Sequence, residues 1–367
     1  TEGEKNVAIG YAALGSDQTG NKNTAIGFRA LSTLNNDGDT FNTAVGYDAG
    51  QSISSGIQNT IIGGLAGDSL TTGSDNVAIG LNALGLEDTG SRNVAIGKSA
   101  LTNQNYNGDA YNVAIGYAAG NQVTTGLGNT IIGGLAGDNL STGSHNVAIG
   151  YEALGAEDVG SKNVAIGRRA LKVQDLSTTD GFNVVIGYEA GDAVSTGDEN
   201  TIIGANAGGL ITSGQQNVII GEGADVASGG GGTDNTIVIG HNAESEGANT
   251  IVLGDANITA LHCEPTGLSS LSDQRDKKDI EDSTYGLEYL ESLRPVTFEW
   301  DRRDGTKKSV KDLGFIAQEM KVKDDEYTKL VESNNPEKLR ASYSRLIPIL
   351  VKAVQELSEE VKQLKNK

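Results

Sequence analysis

Ser272 and Lys277 are the two side chains whose types and spacing best suit covalent chemistry, and they stand in Ser272-Asp273-Gln274-Arg275-Asp276-Lys277-Lys278. A Ser hydroxyl placed just after a peptide bond can attack the preceding carbonyl, here that of Leu271. The route is an N-to-O shift or an equivalent tetrahedral step, with the advantage of a tethered reactant. It then needs only a base. A lysine at its ordinary value of about 10.4 is protonated at neutral pH, so burial or a nearby cation must lower it by roughly 2–3, about 3–4 kcal/mol of electrostatic work. Arg275 and Lys278 are the cations at hand, and Lys278 is also a second candidate base. Spacing alone leaves another reading beside this one, in which Ser272-Asp273 caps a short turn and Lys277-Lys278 are solvated charges. His262-Cys263 lies close by, but two adjacent ligands do not make a metal site. His145 and His241 fall in loops, so no metal and no cofactor is expected.

These residues mark a change in composition. Of 367 residues 51 are Gly and 5% aromatic, too few large side chains for a conventional core through most of the chain. Residues 1–260 carry 9 Lys+Arg against 27 Asp+Glu, whereas 261–367 carry 19 against 21 and hold the only Trp and the only Met. So acidic an array excludes non-specific nucleic-acid binding and gives no attraction to anionic membranes. The lone Cys263 excludes an intrachain disulfide framework and reads as a packed thiol. With no Met at Thr1, no leader and no run of 18 apolar residues, the chain is expected to be the soluble C-terminal fragment of something longer, without membrane insertion.

The first part is a repeat. Asn, a short β-branched run and Gly recur as Asn6-Val7-Ala8-Ile9-Gly10, Asn23-Thr24-Ala25-Ile26-Gly27 and so on to Asn249-Thr250-Ile251-Val252-Leu253-Gly254. The Asn residues fall at 6, 23, 42, 59, 76, 93, 112, 129, 146, 163, 183, 200, 217, 235 and 249, mostly 17 apart with a longer module in each block of four. One strand signal, a small-residue second half and a polar turn make one solenoid coil. Such a coil buries its apolar residues only against neighbours, so Val, Ile and Ala are expected to form a continuous narrow core. The Asn would ladder from coil to coil and fix the register. The long module of each block carries a polar loop closed by an aromatic: Asp37, Asp39 and Phe41; Tyr106, Asp109 and Tyr111; Asp180 and Phe182. These loops are candidates for receptor contact, and they lack the full calcium-loop ligand set.

The modules from Asn6 to about Asp255 resemble the head repeats of trimeric autotransporter adhesins, though most coils here run longer. The resemblance implies a parallel β-roll in which three chains pack together. So thin a core favours interchain burial over a monomeric solenoid.

After Leu268 the pattern is that of a small α+β domain. Leu293-Arg294-Pro295-Val296-Thr297-Phe298-Glu299-Trp300 reads as a strand, Asp304-Gly305 as its hairpin turn and Asp312 to Met320 as strand running into helix. A terminal helix over 343–366 places Ile347, Val354 and Val361 at a positions and Leu350, Leu357 and Leu364 at d. Three heptads are marginal alone, so copies should associate. β-Branched a with Leu d nominally favours two strands, while the array suggests three.

Taken together, Ser-Asp-x-Arg-x-Lys at 272–277, Leu-Arg-Pro-Val-Thr-Phe-x-Trp, Gly314-Phe315-Ile316-Ala317-Gln318-Glu319 and Leu346-Ile347-Pro348 resemble the C-terminal intramolecular chaperone domain of endosialidase tailspikes and related phage tail fibres. That resemblance implies a trimeric chaperone released by cutting before the Ser, with Ser272 as nucleophile and Lys277 as base; Asp273, Arg275 and Lys278 are read from the residues themselves as the supporting groups. Asp276 departs from the family, which usually has an apolar residue there.

The expected protein is mainly β: a trimeric parallel β-solenoid over 1–260, a linker over 261–271 and a chaperone over 272–367. Its function would be that of a distal tail-fibre or tailspike fragment that adheres to a host glycan or protein receptor, follows upstream fibre segments and stays in the virion. The chaperone would leave it in the host cytoplasm. The alternatives are a tailspike with a polysaccharide depolymerase upstream of Thr1 and a bacterial trimeric adhesin. The array itself shows no paired carboxylates in an aromatic cleft.

Overall fold

The computed structural model describes residues 3–176, 180–258, 272–303, 308–333 and 339–366. Leu271, His262-Cys263, the Asp304-Gly305 turn and residues 177–179 of the third long loop lie outside the described residues. The chain divides into two units, Thr1–Asp255 and Ala256–Lys367.

The first unit is a β-solenoid of about 14 turns with coils of about 17 residues. Fifteen strands of three residues, from Val7–Ile9 to Ile251–Leu253, stack in chain order as one parallel sheet. Each pairs in register with the next, as in Val113↔Thr130, Ala114↔Ile131 and Ile115↔Ile132. Side chains alternate faces along a strand, so a strand of three has one inward position. Val, Ile and Ala, expected together in the core, are therefore divided. The middle residue, Ala114 or Ile131, is fully buried, while the first and third point outward. The second half of the coil fills the rest of the core, with Ala100 and Leu101 in one coil and Ala119 and Val123 in the next.

The Asn ladder forms, but mainly between side chain and backbone. Asn112 is fully buried. Its Oδ1 accepts the Asn129 N–H at 2.8 Å, and its Nδ2 donates to the Gly126 carbonyl at 2.7 Å. One side chain thus joins its own coil to the next and meets the requirement that buried amides be satisfied. In the last two coils the expected phase is one residue out. Thr236 takes the ladder position and donates its N–H to Asn217 Oδ1 at 3.0 Å, whereas Asn235 is exposed and pairs with Asn249. Six residues instead of five run from Asn to Gly there, and the coil keeps its phase from the Gly.

That Gly is where backbones approach most closely. Gly116 has φ +141°, and a Cβ on it would stand 2.5 Å from the Gly133 carbonyl oxygen. Neither the torsion nor the space admits a side chain.

In the second unit, helix α1 (Leu287–Glu291) precedes an antiparallel pair, Val296–Asp301 with Lys308–Gly314. Helix α2 (Ala317–Lys321) and the terminal helix α3 (Leu346–Lys365) follow. Leu293, Met320, Leu330, Val331, Leu346 and Ile349 form a small core of their own. Glu356 of α3 accepts the Leu287 N–H at 2.7 Å, tying α1 to α3. Among the described residues no helix is long and apolar enough to cross a membrane.

Gly116→Ala should destabilise the array by on the order of 3 kcal/mol. Hydrogen exchange should show faster exchange in the coils on either side of Gly116 and unchanged protection in α1 and α3.

Candidate active site

Ser272 and Lys277 meet across a single turn. Gln274–Asp276 form a short 3₁₀ helix capped by Asp273, whose Oδ1 accepts the Arg275 N–H at 2.9 Å. The turn closes with the Lys277 N–H donating to the Gln274 carbonyl at 3.1 Å. It thereby sets Lys277 Nζ on Ser272 Oγ at 2.6 Å. This local geometry arises because Asp is a strong cap residue and a 3₁₀ turn compresses five residues of separation into contact. Both members of the pair are exposed in the single chain.

The neighbouring charges are engaged elsewhere. The Arg275 guanidinium grips the Asp273 carboxylate through Nη2 at 2.6 Å and Nε at 3.1 and 3.2 Å. That contact holds the Asp273 carboxyl below, and the Arg275 guanidinium above, their ordinary values. Lys278 stands 3.9 Å from Asp279. Of the groups singled out from the sequence, Ser272 and Lys277 are brought together, Asp273 and Arg275 form a second pair, and Lys278 pairs outside both.

Helix α3 has two apolar faces. Leu346, Ile349 and Ala353 are buried in the unit's own core, while Ile347, Leu350, Val354, Leu357, Val361 and Leu364 are 41–70% exposed. The heptad positions are thus not used within the chain.

Residues 272–329 match the family model Peptidase_S74, described as the chaperone of endosialidase, and the match begins on Ser272. That family implies a self-cleaving peptidase domain and suggests trimeric assembly. With the solenoid, the match fits a tail-fibre-like protein. No curated protein and no solved structure matched the chain.

In the array the loop residues form a repeated constellation. Lys22 pairs with Asp39 at 2.5 Å and lies 4.6 Å from the centre of the Phe41 ring. Arg92 pairs with Asp109 and lies over Tyr111, and Lys162 pairs with Asp180 and lies over Phe182. Each aromatic is about half exposed. Asp37 accepts from Thr19 Oγ1, and the Tyr106 N–H donates to Glu87. Among the described residues no group of three or more His, Cys, Asp or Glu is placed to hold a metal ion.

Beneath these loops lie carboxylates that the sequence reading missed. Asp17, Glu87 and Glu157 sit 70 residues apart, and each accepts an N–H three residues on, from Gly20, Gly90 and Gly160. Glu87 and Glu157 are fully buried. Aligning the three blocks is the signal that would have found them. Burial raises both above the ordinary carboxylate value. Asp225 is pushed to about 6, chiefly by burial against the lowering effect of the Val226 and Leu210 N–H groups, with Glu244 nearby adding to the rise.

A native carboxyl raised above its unfolded value stabilises most when protonated, and that contribution is lost as pH rises through the native value. The full chain with Ser272→Ala should therefore melt at a higher temperature at pH 5 than at pH 7. Asp225 should account for about 1 kcal/mol after solvent screening. Asp225→Asn should shrink the difference between the two melting curves.

Proposed function

We propose that this chain is the distal part of a phage tail fibre or tailspike, made as a precursor. Its C-terminal unit gathers three chains, helps the array to fold and cuts itself away between Leu271 and Ser272. The observation that carries this reading is Lys277 Nζ at 2.6 Å from Ser272 Oγ, on the first residue of the matched span. Ser272 Oγ attacks the Leu271 carbonyl carbon while its proton passes to Lys277. The C–N bond then breaks, the Ser272 nitrogen takes up a proton, and Leu271 is left as an ester on Oγ. Water hydrolyses that ester to a Leu271 carboxylate and frees Ser272 as a new N-terminus.

Lysine accepts a proton only when it is itself unprotonated, which burial or a neighbouring cation favours. Ser272 and Lys277 are exposed in the single chain, and Arg275 is held by Asp273. A second chain laid over this turn supplies the missing burial, so that assembly precedes the cut. The exposed seam of α3 is the surface that brings the chains together. The freed array remains in the virion, follows upstream fibre segments and meets a host glycan or protein receptor through the loops at Phe41, Tyr111 and Phe182. The C-terminal unit is left in the host cytoplasm.

Intact mass and light scattering on the purified chain test this. Wild type should yield a product ending at Leu271, while Ser272→Ala and Lys277→Met should remain full-length trimers. Leu350→Glu with Leu357→Glu should give an uncut monomer. Wild type left whole in a folded trimer would remove the protease and leave the chaperone; a monomeric wild type sinks both.

A further inference from the structure

We propose that the gap above Gly134, between the rings of Tyr117 and Tyr151, is a binding slot for one pyranose ring of a glycan. The site is separate from the loops at Phe41, Tyr111 and Phe182, and it rests on the adhesive reading above. The residue after each strand-ending Gly forms an exposed column along the array. In the first block that column holds Tyr11, Phe28 and Tyr47, stacked at 5.4 and 5.2 Å with interplanar angles of 15° and 9°. In the fourth module of the first two blocks it holds Gly64 and Gly134 instead. Gly64 falls between Tyr47 and Leu81, whereas Gly134 has an aromatic on both sides, Tyr117 and Tyr151, each about half exposed.

The backbone does not ask for glycine at this place. Gly133, next in the chain, has φ +134°, and its Cβ would stand 2.5 Å from the Gly150 carbonyl oxygen. Gly134 lies outside the left-handed region, and a Cβ on it would meet Tyr151 Cδ2 at 3.7 Å, an ordinary contact. Its chain neighbours aside, no other atom comes within 4 Å of that point. What Gly134 supplies is therefore the absence of a side chain between two rings.

The array itself shows what such a gap accepts. Phe28 is a six-membered ring held between Tyr11 and Tyr47, in the place that Gly134 leaves open between Tyr117 and Tyr151. Coils stack at about 4.8 Å, so the two tyrosines, two coils apart, are separated by about 9.6 Å. Carbon atoms in contact sit about 3.5–4.0 Å apart, and two such contacts leave about 2 Å for the thickness of the guest's own skeleton. A flat ring leaves slack there, while a puckered pyranose chair fills it. The rim is polar where the walls are apolar: the Tyr151 hydroxyl bonds with Glu152, and Lys98 Nζ stands 5.9 Å from the centre of the Tyr117 ring. That division suits a sugar, whose ring faces carry C–H groups and whose edges carry hydroxyls.

The test uses the full chain with Ser272→Ala and a panel of immobilised oligosaccharides built from neutral hexoses, N-acetylhexosamines and hexuronates. At least one member should bind, and calorimetry with that member counts the sites. Gly134→Phe closes the slot with the side chain that the first block uses. It should weaken binding by about tenfold or more and leave the melting temperature unchanged or higher. Phe28→Gly opens a second slot between Tyr11 and Tyr47 and should double the number of sugars bound per chain. Tyr111→Ala should change neither affinity nor count. A panel with no bound member, or binding indifferent to Gly134→Phe, overturns the inference. Binding lost with Tyr111→Ala and kept with Gly134→Phe also overturns it, and leaves adhesion through the loops standing. If N-acetylphenylalaninamide binds with the same dependence on Gly134→Phe and no sugar does, the slot takes an aromatic side chain of a protein and the sugar assignment falls.

Discussion

Everything in the first unit depends on the closeness with which one coil's backbone lies on the next. At Gly116 an added methyl would meet the Gly133 carbonyl oxygen at 2.5 Å, and Asn112 fills its hydrogen-bonding capacity partly from the coil that follows. Neither feature exists in a single coil. A coil has no stability of its own to fall back on, and each is held by two neighbours in a nearly one-dimensional array. The core can then be built largely from Ala, with one or two Leu, Ile or Val per coil.

The second unit uses opposite means. It has larger side chains, long-range contacts such as Glu356 on Leu287, and helix α3 divided between an inward and an unused outward face. Its candidate chemistry needs almost no architecture. A capped 3₁₀ turn delivers Lys277 to Ser272, and the nearest other charges neutralise each other as Asp273 with Arg275. Both Ser272 and Lys277 are exposed in the single chain.

Much of this could be read from the sequence where the signal was periodic. The Asn-to-Gly run placed the strands, and the heptads of Ile347 to Leu364 marked the outward face of α3. Spacing brought Ser272 to Lys277 but left open a turn of solvated charges, and it gave Arg275 a role beside Lys277 that the Asp273 carboxylate takes from it. Which side of the strand faced inward was not legible, since Val, Ile and Ala are all apolar and only the coil's curvature decides among them. Glu87 and Glu157 escaped because buried carboxylates look like surface ones until their N–H partners are known. The displaced phase at Asn235 escaped because Asn was counted, whereas Gly240 sets the phase.

The sameness of the outward columns has a further consequence. Val, Thr and Ile recur so evenly that two arrays shifted past one another by one coil exchange each contact for its equivalent and lose only those at the ends. After a shift of four coils even the long loops face long loops again. The array stores no absolute address. Alignment must come from a part of the chain without translational symmetry, and the irregular C-terminal unit is such a part. If that unit leaves after assembly, as proposed, the arrangement is kept by the barrier to sliding instead of by a unique minimum.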